Sequence, residues 1–207
     1  MVPTGTMSSP PDPRERILRA AMQLFAERGF AETTTLEIAT RARVSKRELY
    51  ALVGNKDEML AICVARRGSR MRLPEGFPDP TDRASLEGAL RKYGATLLRE
   101  LLDPDVMDVF RLGIAEAKRS PAIARSLSEG GRGPARASLE RLLESARAAK
   151  LLGDAETADM MRHFDSLLGW STFMVWVLIG VEKLPTAREI ERRAEEAAAI
   201  FLQVHGR

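Results

Sequence analysis

The sequence predicts an all-α fold, because apolar residues recur at intervals of three and four in one segment after another. No segment shows the sustained two-residue alternation of a half-buried strand, and aromatic and β-branched residues are sparse. A proline-rich segment at 73–82, LPEGFPDPTD, divides the 207 residues unequally. We therefore expect a small helical domain at 13–72, a linker at 73–82 and a larger helical domain at 83–207. Residues 1–12 are predicted to be a disordered tail.

The first helix is predicted at 13–29, opened by Asp12 or Pro13 and closed by Gly29. One face of this helix carries an apolar stripe at helical spacing, formed by Ile17, Leu18, Ala21, Leu24 and Phe25. We expect this stripe to cover the two short helices that follow, which are too small to build a core by themselves.

Residues 33–56 predict two short helices joined by a tight turn. A threonine at 33, 34 or 35 is placed to cap the first of them. Apolar side chains face inward from both helices and from the turn, at Ile38, Ala39, Ala42, Val44, Leu49, Tyr50 and Val53. In helix-turn-helix proteins the second helix lies in the major groove of DNA, with its N-terminal side chains at the base edges. We therefore predict a DNA reader at 34–53 whose leading side chains are Ser45, Lys46, Arg47 and Glu48.

The charge of the chain is concentrated near this reader. The formal net charge is +3, but residues 14–72 hold 13 lysine and arginine against 7 aspartate and glutamate residues. That segment therefore carries +6, which leaves −3 for the remainder. Such an asymmetry favours a double-stranded DNA partner for the N-terminal part, since phosphate neutralisation supplies most non-specific affinity. A merely solvated basic face is the alternative.

Further helices are predicted along the rest of the chain, at 55–70, 83–102, 106–119, 121–129, 134–151, 155–181 and 186–204. The sequence GlyGlyArgGlyPro at 130–134 is interpreted as a flexible connector whose glycines end one helix. The longest apolar tract, 167–181, is interrupted by Ser171 and Thr172 and is shorter than the roughly 20 residues of a spanning helix. With a single cysteine, Cys63, and no visible secretory signal, we expect a cytoplasmic protein without a membrane partner.

The segment RILRAAMQLFAERGFAETTTLEIATRARVSKRELYALVGNKDEML resembles the N-terminal signature of the TetR family of one-component bacterial transcriptional regulators. The similarity covers about 45 residues without gaps, from the covering helix to the Asn-Lys pair. It implies that Thr34 and Ser45 cap helices near phosphates, that Lys46 and Arg47 reach bases or backbone, and that Tyr50 and Lys56 hold phosphates. Lysine and arginine can donate to guanine in the major groove, and a helix N-terminus attracts phosphate.

Two residues depart from the family pattern. Arg43 stands where the turn glycine is usual, so it has either to adopt or to avoid a left-handed conformation, at a cost of roughly 1 kcal/mol. It also adds a cation near DNA. Glu48 stands where a small hydroxyl residue is usual, and its carboxylate repels phosphate unless it pairs with Arg47 or accepts from a cytosine N4. We include both among the DNA-binding residues and interpret them as a sign of altered specificity, with lost DNA binding as the alternative.

The resemblance implies that the C-terminal domain forms a homodimer through its last two helices and holds an effector pocket between the others. The predicted pocket residues are Met107, Phe110, Arg111, Phe164, Leu167, Trp170 and Met174. The predicted dimer interface consists of Phe173, Trp176, Val177, Ala194, Ala198 and Phe201. Met, Phe and Trp side chains suit an adaptable pocket for an apolar effector, but helical apolar stripes are more often plain packing.

These observations predict a DNA-binding repressor released by a small apolar effector. The alternative is a helical ligand-binding or interaction dimer whose DNA binding is lost or altered. No nucleophile–base pair, phosphate-cradling glycine loop or metal-spaced cluster points to an enzyme, a cofactor or a metal. His163 and Asp165 lie two positions apart on a helix and therefore face different directions. His205 is expected to be a solvated terminal residue.

Overall fold

The computed structural model describes residues 12–116, 118 and 121–207, and these fold as helices joined by short turns. This confirms the all-α prediction. The chain forms two compact units that meet between Cys63 and Val64, inside a helix. Among the described residues, no helix is both long and apolar enough to cross a membrane.

The first unit contains α1 (Pro13–Arg28), α2 (Thr35–Ala42), α3 (Lys46–Val53) and the beginning of α4 (Lys56–Gly68). The ends of α1 are as the sequence predicts. The Asp12 carboxylate accepts a hydrogen bond from the backbone N–H of Arg14, and Gly29, at φ +85°, closes the helix. Only glycine adopts such a conformation without a steric cost, so the helix ends there.

The core of the first unit forms where α1 packs across α2 and α3. The predicted stripe on α1 is buried, and it meets Ile38, Ala39, Ala42, Leu49 and Val53. Arg16 adds a hydrogen bond from its Nε to the carbonyl oxygen of Ala42, at 3.1 Å. Because α2 and α3 have only eight residues each, they depend on this covering helix for their stability.

The second unit continues α4 through a 3₁₀ turn (Ser69–Met71) into the C-terminal helices. These are α5 (Arg83–Leu101), α6 (Pro104–Glu116), α7 (Pro121–Ser126), α8 (Gly133–Ala148), α9 (Thr157–Leu168), α10 (Trp170–Ile179) and α11 (Ala187–His205). The helices α5 and α11 pack closely along their length. A Cβ on Gly94 of α5 would lie 3.3 Å from the Ala194 Cβ, so small residues allow this approach.

The proline-rich segment 73–82 contributes to the packing of the second unit. Leu73 is buried, and its backbone N–H donates to the Ser138 hydroxyl at 3.1 Å. Phe77 packs against the same core. The assignment of this segment as a linker between domains stays a prediction.

Two helix predictions in the second unit are wrong. The single helix expected at 155–181 is broken at Gly169, which is left-handed at φ +88° and ends α9 before α10 begins. The flexible connector expected at 130–134 is instead helical. A π-helical segment (Leu127–Arg132) joins α7 to α8, and the Gly133 N–H donates to the Ser128 carbonyl oxygen five residues earlier. A wider helical turn thus keeps the backbone paired where the glycines were expected to end it.

The glycines of the π-helical segment meet the end of α4 at close range. A Cβ on Gly68 would lie 2.6 Å from the carbonyl oxygen of Gly131 and would overlap that of Gly130. Backbone atoms cannot move aside as the end of a flexible side chain can. The crossing therefore requires a residue without a side chain at position 68.

We expect Gly68→Ala to lower the free energy of unfolding by about 1 to 3 kcal/mol, the usual cost of overpacking. Urea denaturation followed by circular dichroism measures the change. Gly88→Ala in α5 is the matched control, because no atom lies within 4 Å of its Cβ position. There the better helix propensity of alanine should stabilise the protein by about 0.5 to 1 kcal/mol. Equal effects of the two substitutions would contradict the proposed overlap.

Candidate nucleic-acid interface and ligand cavity

The first turn of α3 exposes the four residues predicted to read DNA. Leu49 and Val53 are buried against the core, so Ser45, Lys46, Arg47 and Glu48 face outward. The Ser45 hydroxyl accepts from the Glu48 backbone N–H at 3.1 Å and caps the helix. The side chains at this helix end are therefore exposed on a backbone fixed by its cap and by its buried face.

Tyr50 lies at the edge of this surface. It was predicted on the inner face of α3, but its side chain is 46% exposed. Its hydroxyl lies 3.2 Å from the Thr35 hydroxyl, and the Lys46 Nζ lies 5.9 Å from the centre of its ring. Tyr50 therefore links the exposed face of α3 to the first turn of α2.

The N-terminus of α2 is closed by a reciprocal pair of hydrogen bonds. The Thr34 hydroxyl accepts from the Glu37 backbone N–H at 3.2 Å, and the Glu37 carboxylate accepts from the Thr34 backbone N–H at 2.9 Å. This second bond is the main reason that the pKa of Glu37 is lowered. Thr34 is exposed beside the positive end of the helix dipole, where an anion is favoured.

The Lys56 side chain forms its contacts within the first unit. Its ammonium donates to the carbonyl oxygens of Phe30 and Ala31, at 2.7 and 3.2 Å, and lies 4.7 Å from the Phe30 ring centre. The ammonium therefore fixes the loop between α1 and α2. A phosphate contact by Lys56, as the family resemblance implies, would have to use its third N–H.

Arg43 adopts the left-handed conformation that its position demands, at φ 56° and ψ 50°. Its backbone N–H closes α2 by donating to the carbonyl oxygens of Ala39 and Thr40, and its side chain is exposed. Within the described part of the chain, Glu48 forms no ion pair with Arg47 or any other cation. The surface thus presents three cations, at positions 43, 46 and 47, around one unpaired carboxylate.

A cavity of about 140 Å³ lies in the second unit between α5, the π-helical segment, α8 and α9. Apolar side chains form most of its wall, at Met71, Leu97, Leu101, Leu139, Met161 and Trp170. Its polar lining comes from Tyr93, Ser128, Arg132, Arg136 and Asp165. The cavity therefore combines an apolar wall with a few charged and hydroxyl groups, the usual composition of a small-molecule site.

Burial and neighbouring charges change the pKa values of the ionisable groups in the cavity. Burial raises the pKa of the Asp165 carboxyl, while the charges of Arg132 and Arg136 act in the opposite direction. Burial, together with the charge of Asp165, raises the pKa of the Tyr93 phenol. The Arg132 guanidinium carbon lies 4.2 Å from the Trp170 ring centre. The guanidinium thus covers an aromatic wall of the cavity.

Of the seven residues predicted for the pocket, Trp170 lines this cavity. Met107 and Phe164 are buried in the core, and Phe110 packs on Trp170 at a centroid distance of 6.1 Å. Leu167 and Met174 are partly buried against the same core. Arg111 donates to the Val177 carbonyl oxygen at 3.0 Å and pairs with Asp108. The remaining polar members of the cavity were missed, although Arg132 and Arg136 share one helix face at a spacing of four.

The residues predicted for the dimer interface lie inside the chain's own core. Five of the six are buried and therefore offer no surface to a partner: Phe173, Val177, Ala194, Ala198 and Phe201. Trp176 is partly exposed. The apolar residues that α10 and α11 do expose are their neighbours, Val175, Leu178, Ile179, Ile200 and Val204. The predicted residues thus lie on the inward faces of α10 and α11, and a dimer through these helices stays a prediction.

His205 is buried rather than solvated, which corrects the sequence prediction. Its Nε2 lies 2.9 Å from the Nδ1 of His163, and the two rings stack at a centroid distance of 5.1 Å. Burial, together with the neighbouring His163, lowers the pKa of His205. The pair joins the end of α11 to α9.

Family models match both parts of the chain. Residues 17–62 match the model described as bacterial regulatory proteins, tetR family. Residues 88–207 match the model described as AefR-like transcriptional repressor, C-terminal domain. Since the second model alone covers more than half of the sequence, the chain belongs to the TetR family.

Curated relatives resemble part of the chain. The HTH-type transcriptional repressor Rv3405c of Mycobacterium tuberculosis is 36% identical over 87 residues, which are 42% of this chain and 45% of the relative. The chain thus matches somewhat less than half the length of that protein. The HTH-type transcriptional regulator HbdR of an Aromatoleum species is 45% identical over 47 residues, 23% of this chain and 20% of the relative.

Solved structures resemble nearly the whole chain. A TetR transcriptional regulator from Agrobacterium tumefaciens has a TM-score of 0.75 and 25% identity, covering 94% of this chain and 95% of its own. The flavonoid-responsive regulator FrrA has a TM-score of 0.73 and 28% identity, covering 94% of this chain and 97% of its own. The similarity therefore extends through both units.

We expect Arg43→Gly to raise the free energy of unfolding by about 1 kcal/mol, because glycine accepts the left-handed conformation without strain. Arg19→Gly is the matched control, since it makes the same change at an exposed position inside the right-handed helix α1 and should cost about 1 kcal/mol. Chemical denaturation of both variants and the parent measures the two changes. Loss of stability in Arg43→Gly would show that the side chain contributes more than the strain removes.

Proposed function

We propose that the protein is a ligand-responsive, DNA-binding transcriptional regulator that acts as a homodimer, most simply as a repressor. The observation that carries this proposal is the exposed first turn of α3, where Ser45, Lys46, Arg47 and Glu48 project from a capped helix. Membership of the TetR family and the names of the relatives support it. Those relatives are named as regulators of transcription rather than as enzymes.

In this proposal α3 enters the major groove, and the side chains around it contact either the base edges or the phosphates. Lys46 and Arg47 reach base edges or phosphates, and Arg43 adds a phosphate contact from the turn. Thr34 and Tyr50 approach the backbone beside the N-terminus of α2. Glu48 faces the bases, where its carboxylate accepts from a cytosine N4.

The exposed apolar residues on α10 and α11 support a dimer through these two helices. Leu178 is 62% exposed, Ile179 81% and Val204 67%. On α10, Val175 lies three and four positions before the other two residues, so all three share a face. Exposed apolar groups of this kind mark association surfaces, and a two-fold axis would place like faces together.

A second candidate function is a ligand-binding dimer that no longer reads DNA. The unpaired carboxylate of Glu48 at the tip of α3 favours it, because an unneutralised negative charge in the groove repels phosphate. The same residue is compatible with a changed operator preference, so a direct comparison of variants decides between the two functions.

DNA binding is tested with the purified full chain and genomic fragments in excess competitor DNA. We expect specific retention of a small set of fragments, weakened by salt. Lys46→Gln and Arg47→Gln should each weaken binding by about 1 to 3 kcal/mol where they contact bases. A phosphate contact would instead reduce the salt slope by about one. Lys92→Gln on the exposed side of α5 is the charge-matched control and should change neither quantity.

The Glu48→Thr variant separates the two functions in the same assay. A regulator with altered specificity binds in both forms, and the variant selects different fragments. Specific binding that appears only in Glu48→Thr would overturn the proposal and establish the second function. Absence of any preferred fragment for the parent and the variant would likewise reject DNA recognition.

The dimer is tested by sedimentation velocity. We expect Leu178→Lys and Val204→Lys to shift the protein from dimer to monomer, because like charges would meet across the two-fold axis. Ile114→Lys is the control, since Ile114 is also exposed near the C-terminal end of a helix and lies outside the proposed face. All three lysines would lie near the C-terminal end of a helix, where the helix dipole favours a positive charge. A dimer that survives both substitutions would place the interface elsewhere.

A further inference from the structure

Tyr93 offers an unused hydroxyl to the cavity of the second unit. The residue is 2% exposed and lines the cavity, and no hydrogen bond joins its hydroxyl to any described residue. Asp165 lines the same cavity and forms no ion pair of 4 Å or less with a described residue. The hydroxyl and the carboxylate are thus available to the cavity, and a ligand there could form hydrogen bonds with both.

Two arginines also contribute to the lining of the cavity. Arg132 and Arg136 both line the cavity, and both residues are largely exposed, which places them towards solvent. Counting Asp165, the formal charge of the lining is +1 when that carboxyl is ionised. The charge balance therefore suits an anion, and guanidinium groups bind carboxylates in particular.

The size and the walls of the cavity restrict the rest of the ligand. Its volume of about 140 Å³ is close to that of an engineered cavity of roughly 150 Å³ that binds benzene. Trp170 and the aliphatic side chains around it offer flat and apolar contact. One aromatic ring fills such a space, whereas a ligand of several fused rings exceeds it.

We infer that this cavity binds a monocyclic aromatic carboxylate with a hydroxyl group at its far end. The carboxylate lies between Arg132 and Arg136, the ring lies against the leucines and the part of Trp170 that Arg132 leaves uncovered, and the hydroxyl reaches Tyr93 and Asp165. This inference rests on the proposed function, since it names the class of effector to which the regulator responds. It also replaces the purely apolar effector expected from the sequence.

A cationic ligand is the competing possibility, because Asp165 and Trp170 together resemble an ammonium site. However, the guanidinium of Arg132 already occupies the face of Trp170, and Arg136 adds a second positive charge to the lining. A cation would have to displace the first arginine and bind beside the second. An anion instead binds to both arginines.

The test uses 4-hydroxybenzoate as the probe and the full chain without DNA. In a Trp176→Phe background, Trp170 is the sole tryptophan and reports on the cavity by its fluorescence. We expect saturable quenching by 4-hydroxybenzoate and at least tenfold weaker binding of 4-hydroxybenzyl alcohol, which keeps the ring and hydroxyl but lacks the charge. Calorimetry on the unsubstituted chain should give the same order. Equal affinities, tighter binding of 4-hydroxybenzylamine, or no saturable binding would overturn the inference.

Variants of the lining residues test which of them bind the carboxylate and which bind the hydroxyl of the ligand. Arg132→Gln and Arg136→Gln should each weaken 4-hydroxybenzoate at least tenfold, whereas Arg141→Gln, an exposed arginine on α8 outside the cavity, should not. Tyr93→Phe should weaken 4-hydroxybenzoate severalfold yet leave benzoate unchanged, which separates a lost hydrogen bond from misfolding. Unchanged binding in both arginine variants would contradict the assigned site.

The DNA assay keeps this inference separable from the proposed function. Loss of probe binding with specific DNA retention intact would reject the effector class alone. Probe binding by a chain that retains no preferred DNA fragment would support the cavity assignment and reject the regulator.

Discussion

The close approach of α4 to the π-helical segment is the constraint on which the second unit most depends. The carbonyl groups of Gly130 and Gly131 occupy the space that a side chain on Gly68 would need. The same segment turns Ser128 and Arg132 to the cavity on another side. Neither arrangement could change independently, since a shift of the segment to admit a side chain at 68 would also move the arginine that covers Trp170. The π-helical segment thus fixes both the crossing with α4 and one wall of the cavity.

In the first unit, hydrogen bonds at the helix ends determine where the short helices begin and end. Short helices gain little from propensity, so their ends must be defined by caps and their faces by tertiary burial. Thr34 and Ser45 define the starts of α2 and α3. Arg43 closes α2 in a conformation that glycine would adopt more easily, which means that stability has been given up at that position for a side chain. An exposed cation beside α3 is a physical reason for keeping it.

The sequence was most informative where one residue determines a local structure. Asp12 and Gly29 marked the ends of α1, and the threonines at 33–35 marked the start of α2, because a cap depends only on its immediate neighbours. It was least informative where an apolar run could be buried in several directions. The periodicity of 155–181 could not show that Gly169 turns the chain, nor which face of α10 meets the chain's own core. The cavity was missed for the same reason, because Tyr93, Arg132 and Asp165 are brought together by tertiary packing from three separate elements.

The position of Arg132 also bears on how a ligand could act on DNA affinity. An effector shifts a conformational equilibrium only by the difference between its free energies of binding to the two conformations. A guanidinium that stacks on Trp170 by its face presents its N–H groups at the edge to a carboxylate, so a bound ligand favours conformations that keep that side chain, and the turn that carries it, in place. Because the turn has no free space on its Gly68 side, a conformation that moves the turn has to move the end of α4 as well. A ligand carboxylate in this cavity therefore acts on the position of the π-helical segment, whereas a ligand held only by the aliphatic wall makes no contact with Arg132.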